Sequence, residues 1–441
     1  MRLNPLVNNH NILLIFFTAL FISTGPVVFG QGTDKFIYGD ALPDAPELAV
    51  RGEHKVGVRT LDFVNPKQID ILNAKEGMAP LYDRPLKIEV WYPAMLDGNT
   101  PEVVVYDQVM GSSNDEKRPL IPFTFKGRAA KDASPLSKVG PFPLIIVSHG
   151  YLGSRLLLTY LTENLASKGY IVVAIDHTDS TFKDAGGFQS TLLNRPKDIL
   201  FTLNKIDELN KPKSGSFLSG LIDVNNSAII GYSMGGYGVL NVAGAGYSEQ
   251  LKSFFETMTG GNTAITSLIS NNPEFVGGKD PRIKAVVAFA PWGMERGVWD
   301  LEGLKGLKTP TFFIAGDQDD ISGYEKGIKA IYSGSVNAER YLLTYANAQH
   351  NVAPNPPPVE SLQAGLHLDE YYRYAEPAWD SRRMNNINQH FVTAFIGLHL
   401  KAKKDYAKYL NLQEDSNGQD WFGFVPRSST GMELLHTMPA E

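Results

Sequence analysis

Cysteine is absent from the 441-residue sequence. That excludes disulfides, thiolate metal ligands, a cysteine nucleophile and a lipid-modified N-terminal cysteine. A basic excess is missing as well: 41 Lys and Arg stand against 47 Asp and Glu, for a formal charge of −6. Such a chain has no means of tracking a phosphate backbone, so nucleic acid is not expected as a partner. No internal repeat is visible, which removes propellers and solenoids. The apolar run Ile12 to Ile22 is too short to cross a hydrocarbon layer of ~30 Å comfortably, and Gly25-Pro26 follows it.

What is present is ordinary globular usage, with 43% hydrophobic and 20% charged residues. Arg2 is the one formal side-chain charge before Asp34, and the apolar run leads to Val28-Phe29-Gly30. This is the pattern of a secretory signal, residues 1–30, cleaved near Gly30. It predicts a secreted or periplasmic protein with no stable membrane span once the signal is removed.

Residues 31–50 read as an extended lead-in. Segments 56–63 and 86–92 alternate apolar and polar residues, as half-exposed strands do. Six short continuous apolar runs follow, at 143–148, 170–175, 228–231, 283–289, 311–315 and 341–345. Such runs suit strands covered on both faces. Helical patterns separate several of them, at 156–167, 198–209 and 235–243, and a further one spans 385–400. The expectation is an α/β fold with a mostly parallel sheet of eight strands, flanked by helices. That domain would cover 51–412, with lid-like insertions at 106–140, 245–282 and 353–380, and a tail at 413–441.

The strongest local signal is Gly231-Tyr232-Ser233-Met234-Gly235-Gly236, between a strand and a helix. A serine on so sharp a turn needs small neighbours, because side chains there would strike the strand and helix. The turn lifts the Ser233 hydroxyl to the carboxyl edge of the sheet and leaves the Met234 N–H facing the reacting atoms. A second N–H is needed to hold an oxyanion. It should come from the loop Ser148-His149-Gly150-Tyr151-Leu152-Gly153, with Tyr151 preferred and Leu152 in reserve. His149 precedes the nucleophile, against the order Ser, acid, His of this arrangement, and reads as structural.

The acid should follow a later strand, where Asp317-Gln318-Asp319-Asp320 stands after Thr311 to Gly316. A calcium loop starting at Asp317 would need glycine sixth and glutamate twelfth, and the chain has Ser322 and Ile328 there. One aspartate therefore orients the base: Asp319 is preferred, with Asp317 and Asp320 as alternatives. The base should follow the last strand, which selects His350 after Tyr341 to Tyr345. Ser233, His350 and Asp319 together form a nucleophile, a base and an orienting acid, and this chemistry requires no cofactor and no metal.

With these motifs the chain resembles the α/β-hydrolase superfamily, in particular the bacterial dienelactone-hydrolase-like and platelet-activating-factor acetylhydrolase-like proteins. The resemblance rests on 56–60, 89–93, Ser148-His149-Gly150, Asp176-His177, 194–198, the Ser233 turn, 382–386 and Gln389-His390. Dienelactone hydrolases use a cysteine nucleophile, which this chain lacks, so the resemblance implies fold more than substrate. The site is also similar to that of bacterial cutinases and polyester hydrolases, in Tyr151, Met234 and Ala290-Pro291-Trp292. That similarity implies that Trp292 and Tyr151 line the substrate pocket. The reading is a serine carboxylic ester hydrolase for a small or polymeric ester. A cutinase-like polyester hydrolase, a serine peptidase and a non-catalytic binding protein on the same fold are the alternatives.

Overall fold

Runs of Val and Ile without polar alternation are satisfied by strands covered on both faces. In the computed structural model, which describes residues 36–440, those runs form the middle of one large sheet. The expected signal segment, 1–30, lies outside the described residues. The strands are β1 (Lys55–Ile69), β2 (Leu81–Met95), β3 (Val104–Met110), β4 (Ile121–Gly127), β5 (Ala130–Lys131), β6 (Ser134–Pro135), β7 (Phe142–Ser148), β8 (Ile171–Asp176), β9 (Ile222–Tyr232), β10 (Ile283–Phe289), β11 (Thr311–Gly316), β12 (Arg340–Tyr345) and β13 (Met432–Thr437). The helices are α1 (Thr159–Ser167), α2 (Phe188–Asn210), α3 (Met234–Val242), α4 (Glu249–Met258), α5 (Leu301–Lys305), α6 (Lys329–Gly334), α7 (Asp369–Tyr372) and α8 (Ser381–Leu400).

The sheet order is β13-β12-β11-β10-β9-β7-β8-β2-β1-β5, with β6 beside β2. β8, β7, β9, β10, β11 and β12 are parallel neighbours, and β2 joins β8 antiparallel. This mostly parallel mixed sheet with flanking helices is the α/β-hydrolase fold the sequence predicts. Among the described residues the sheet has eleven strands, where eight were expected. The additions are β5 and β6, of two residues each, and β13. β13 pairs antiparallel with β12 from Arg340↔Thr437 to Tyr345↔Met432. It covers what would otherwise be an open edge, and every residue of β12 is buried.

Helix α2 begins at Phe188, well ahead of the amphipathic pattern at 198–209, and runs through Pro196. Proline cannot donate to the carbonyl four residues earlier. That carbonyl, of Leu192, is satisfied by the Tyr237 hydroxyl at 2.8 Å instead. The lead-in is held by α8: Asn386 Oδ1 accepts from Leu42 N–H at 2.9 Å, Gln389 donates to Gly39 O at 3.0 Å, and His390 Nδ1 accepts from Leu48 N–H at 3.1 Å. Asn386, Gln389 and His390 thus pin the lead-in to α8.

Candidate active site

Ser233 sits between β9 and α3 with φ 53° and ψ −113°. A non-glycine residue in that region costs roughly 1–3 kcal/mol and persists only where its surroundings hold it. The holding groups are backbone: Ser233 N–H donates to Phe289 O at 2.9 Å, and Trp292 N–H donates to Ser233 O at 3.2 Å. Two flanking glycines make the turn possible. A Cβ on Gly231 would lie 2.2 Å from Gly235 O, and one on Gly235 would lie 1.9 Å from Ser148 O.

The loops after β11 and β12 bring Asp319 and His350 to this turn. His350 Nε2 lies 2.9 Å from Ser233 Oγ, and His350 Nδ1 lies 2.9 Å from Asp319 Oδ2. Asp319 Oδ1 also accepts from Ser322 N–H at 2.7 Å and Ile321 N–H at 2.9 Å. Burial pushes the Asp319 carboxyl up, but His350 and these N–H groups outweigh it and hold the carboxyl below its ordinary value. The other two aspartates go elsewhere. Asp317 accepts from Asn347 N–H at 2.7 Å, and Asp320 is exposed at the rim. Ser233, Asp319 and His350 are 6%, 6% and 7% exposed, so the chain of contacts is sheltered but open to a cleft.

Gly150 packs against the turn, since a Cβ there would meet the Tyr232 ring at 3.1 Å and Ser233 Cβ at 3.3 Å. Among the described residues, neither Tyr151 N–H nor Met234 N–H forms a backbone hydrogen bond. Beneath this loop lies a second Ser–His–Asp set. Ser148 Oγ is 2.9 Å from His177 Nε2, and His177 Nδ1 is 2.9 Å from Asp198 Oδ2. All three are fully buried and none lines the cleft. Burial, with the charge of Arg195, pushes His177 down to about 3, so it stays neutral. Asp198 is ionised and paired with buried Arg84 at 2.9 Å. His149 is buried with it, accepting from His177 N–H at 3.2 Å, and serves the loop's shape.

The cleft beside Ser233 holds about 290 Å³ and is lined by Tyr151, Phe182, Tyr232, Tyr372 and Arg373 among others. Residues 353–380 contribute to its wall, while 245–282 contribute none of the lining. Trp292 does not border the cleft. The Ala290-Pro291-Trp292 turn packs against α3, where a Cβ on Gly236 would lie 2.8 Å from Pro291 Cα. The indole therefore meets Tyr237 at 6.3 Å and Phe188 at 5.2 Å, and Phe188 in turn meets Tyr151 at 5.5 Å.

Two residues have no signal in the sequence. Glu376 accepts from Gln349 N–H at 2.6 Å and, through its other oxygen, from Asn351 N–H, one on each side of His350. Burial raises its pKa, although those N–H groups oppose the rise. Arg373 donates to Tyr151 O at 3.2 Å. Both lie in the 353–380 stretch, whose composition marks an insertion and nothing more.

The fold agrees with comparisons to known proteins. Residues 133–255 match a family model described as PET hydrolase-like. A cutinase of Thermobifida alba is 24% identical over 212 residues, 48% of this chain and 54% of the relative. A bis(hydroxyethyl) terephthalate hydrolase of Streptomyces coelicolor is 24% identical over 217 residues, 49% of this chain and 52% of the relative. The chain thus spans about half the length of the curated relatives it matches. A ferulic acid esterase of Streptomyces cinnamoneus superposes with a TM-score of 0.54 at 18% identity, covering 89% of this chain and 99% of that one. Among the described residues no helix is long and apolar enough to cross a membrane. The chain has the α/β-hydrolase fold, and about half of it is similar to cutinases and polyester-hydrolase-like esterases.

Proposed function

We propose that this chain is a serine carboxylic ester hydrolase working through an acyl-enzyme. The observation that carries the reading is the continuous path from Ser233 Oγ through His350 to Asp319, with 2.9 Å at each contact, opening on a cleft. In this reading Ser233 Oγ attacks the acyl carbon while His350 Nε2 takes its proton. Asp319 keeps the other ring proton on Nδ1 and stabilises the imidazolium. The N–H groups of Met234 and Tyr151 hold the oxyanion. As the tetrahedral intermediate collapses, the acyl–oxygen bond breaks and the alcohol leaves with the proton from His350. Water then attacks the acyl-enzyme with His350 as base, releasing the acid and restoring Ser233. Export through residues 1–30 belongs to the same proposal.

A cutinase-like action on polyesters is a second reading, favoured by the PET hydrolase-like match at 133–255. The wall formed by Asp369, Tyr372 and Arg373 favours short esters or chain ends over the middle of a polymer. The test is hydrolysis of p-nitrophenyl esters from acetate to long chains by wild type and Ser233→Ala, with a polyester film alongside. The proposal expects turnover of short esters that disappears in the variant. A wild type inactive on every ester, or a variant as fast as wild type, would overturn it.

A further inference from the structure

Among the residues lining the cleft, Arg373 is the one permanent cation. It follows α7, and its guanidinium is partly withdrawn from water. Of its five N–H donors, one is engaged among the described residues, by Tyr151 O at 3.2 Å.

Three other withdrawn arginines are matched by carboxylates, while buried Arg195 and Arg340 pair with neutral oxygens of the protein and do not line this cleft. Arg84 has Asp198 and Asp179, Arg118 has Glu370 and Asp369, and Arg155 has Glu89 and Asp176. Arg373 forms no ion pair among the described residues, and three of the acids near it are engaged elsewhere. Asp369 and Glu370 are held by Arg118 at 3.2 and 2.7 Å, and Asp319 is held by His350. Asp320 lies exposed at the rim. Burial, with the positive charge of Arg118, pushes Arg373 below the ordinary arginine pKa. A partly withdrawn guanidinium with spare donors and no ion-pair partner is a receptor for a planar anion, which it can grip with two parallel bonds.

The reach is also defined. Within one residue the backbone N and O are at most roughly 3.6 Å apart, so the guanidinium lies within roughly 7 Å of the Tyr151 N–H. That bound admits a para-substituted benzene ring, and the rings of Tyr151, Phe182 and Tyr372 border the same space.

We propose that Arg373 forms a carboxylate-binding subsite, so that the preferred substrates are aromatic esters bearing a free carboxylate one ring away from the scissile ester. This rests on the ester-hydrolase reading above and names its substrate class.

The test compares 4-acetoxybenzoate with its neutral analogue 4-acetoxybenzamide, on wild type, Arg373→Gln and Arg373→Lys, with melting curves confirming that each is folded. The readout is the ratio of the two kcat/KM values. A ratio separates anion recognition from any effect of losing the bond to Tyr151 O, which slows both esters alike. Wild type should favour the carboxylate roughly tenfold to a hundredfold, mainly in KM, the range of one charge-assisted hydrogen bond. Arg373→Gln should bring the ratio to about one or below, and Arg373→Lys should keep part of the preference. A wild-type ratio at or below one overturns the proposal. So does an unchanged ratio in Arg373→Gln, which would leave Arg373 as a positioning residue for the Tyr151 loop. If neither ester shows Ser233-dependent hydrolysis, the ester-hydrolase reading itself fails. Calorimetric binding of 4-hydroxybenzoate then decides the subsite: it should bind wild type and not Arg373→Gln, and equal or absent binding overturns the proposal.

Discussion

Glu376→Gln is the perturbation that best separates the holding of His350 from its chemistry. Glu376 does not touch Ser233, yet its two oxygens take the N–H groups of Gln349 and Asn351, on either side of the histidine. A carboxamide has one acceptor oxygen. It keeps one of these bonds and turns an NH₂ toward the other N–H, donor against donor. A hydrogen bond to a charged group contributes about 1.5–3 kcal/mol, and a buried N–H left without a partner costs about 1–3 kcal/mol more. Part of that is offset, because burial already disfavours the ionised carboxylate here. A net loss of about 2–3 kcal/mol in unfolding free energy is expected. The kinetic effect follows from geometry. Moving a catalytic group by about 1 Å can lower turnover about a hundredfold. Glu376→Gln should therefore lower kcat for p-nitrophenyl acetate roughly tenfold to a hundredfold with little change in KM. Urea unfolding gives the first number and steady-state kinetics the second. A folded variant with kcat within about twofold of wild type would refute the idea that this clamp sets the His350 position.

Other outcomes follow from the same structure. Asp319→Asn should present an amide NH₂ to His350 Nδ1, place the ring proton on Nε2 and lower kcat about 10⁴-fold while substrate binding persists. Gly235→Ala puts a Cβ 1.9 Å from Ser148 O, so it should reduce soluble yield and abolish ester hydrolysis, as expression trials would show. Glu163 is fully buried, accepts from Tyr106 OH at 2.7 Å, and burial lifts its pKa from the ordinary 4.5 to about 7. Because the folded value is the higher one, its contribution to stability is present below 4.5 and is lost as pH rises to about 7. That loss amounts to at most about 3 kcal/mol, and urea unfolding of wild type and Glu163→Gln across this window should show a shallower slope in the variant.

The sheet and the Ser233 turn were legible because local physics dictates them. Apolar runs such as Leu144-Ile-Ile-Val147 leave few alternatives to a buried strand, and Gly231 and Gly235 are demanded by contacts shorter than any Cβ allows. Chain order and the places after β12 and β11 single out His350 and Asp319, which the structure brings into contact. What escaped was set by tertiary contact. The helical stretch from Phe188 hides behind Pro196, whose missing bond is replaced by Tyr237 from another helix. β13 lies in a stretch read as tail because Met432-Glu-Leu-Leu-His-Thr437 gains its strand character from β12. Glu376 and Arg373 carry no motif, since each acts through contacts made across the fold, Glu376 with Gln349 and Asn351 and Arg373 with Tyr151. The Ser148–His177–Asp198 set shows the reverse: the same three residue types in contact at the same 2.9 Å distances, but fully buried and not lining the Ser233 cleft.

The central claim is that Ser233 is the activated nucleophile, and covalent labelling tests it most directly. The purified protein, Ser233→Ala and His350→Ala would be treated with a fluorophosphonate, and the adduct located by peptide mass mapping. The account predicts one adduct, on Ser233, absent from Ser233→Ala and formed far more slowly in His350→Ala. A folded wild type that takes no label, or an adduct on Ser148 or any other serine in place of Ser233, would contradict it.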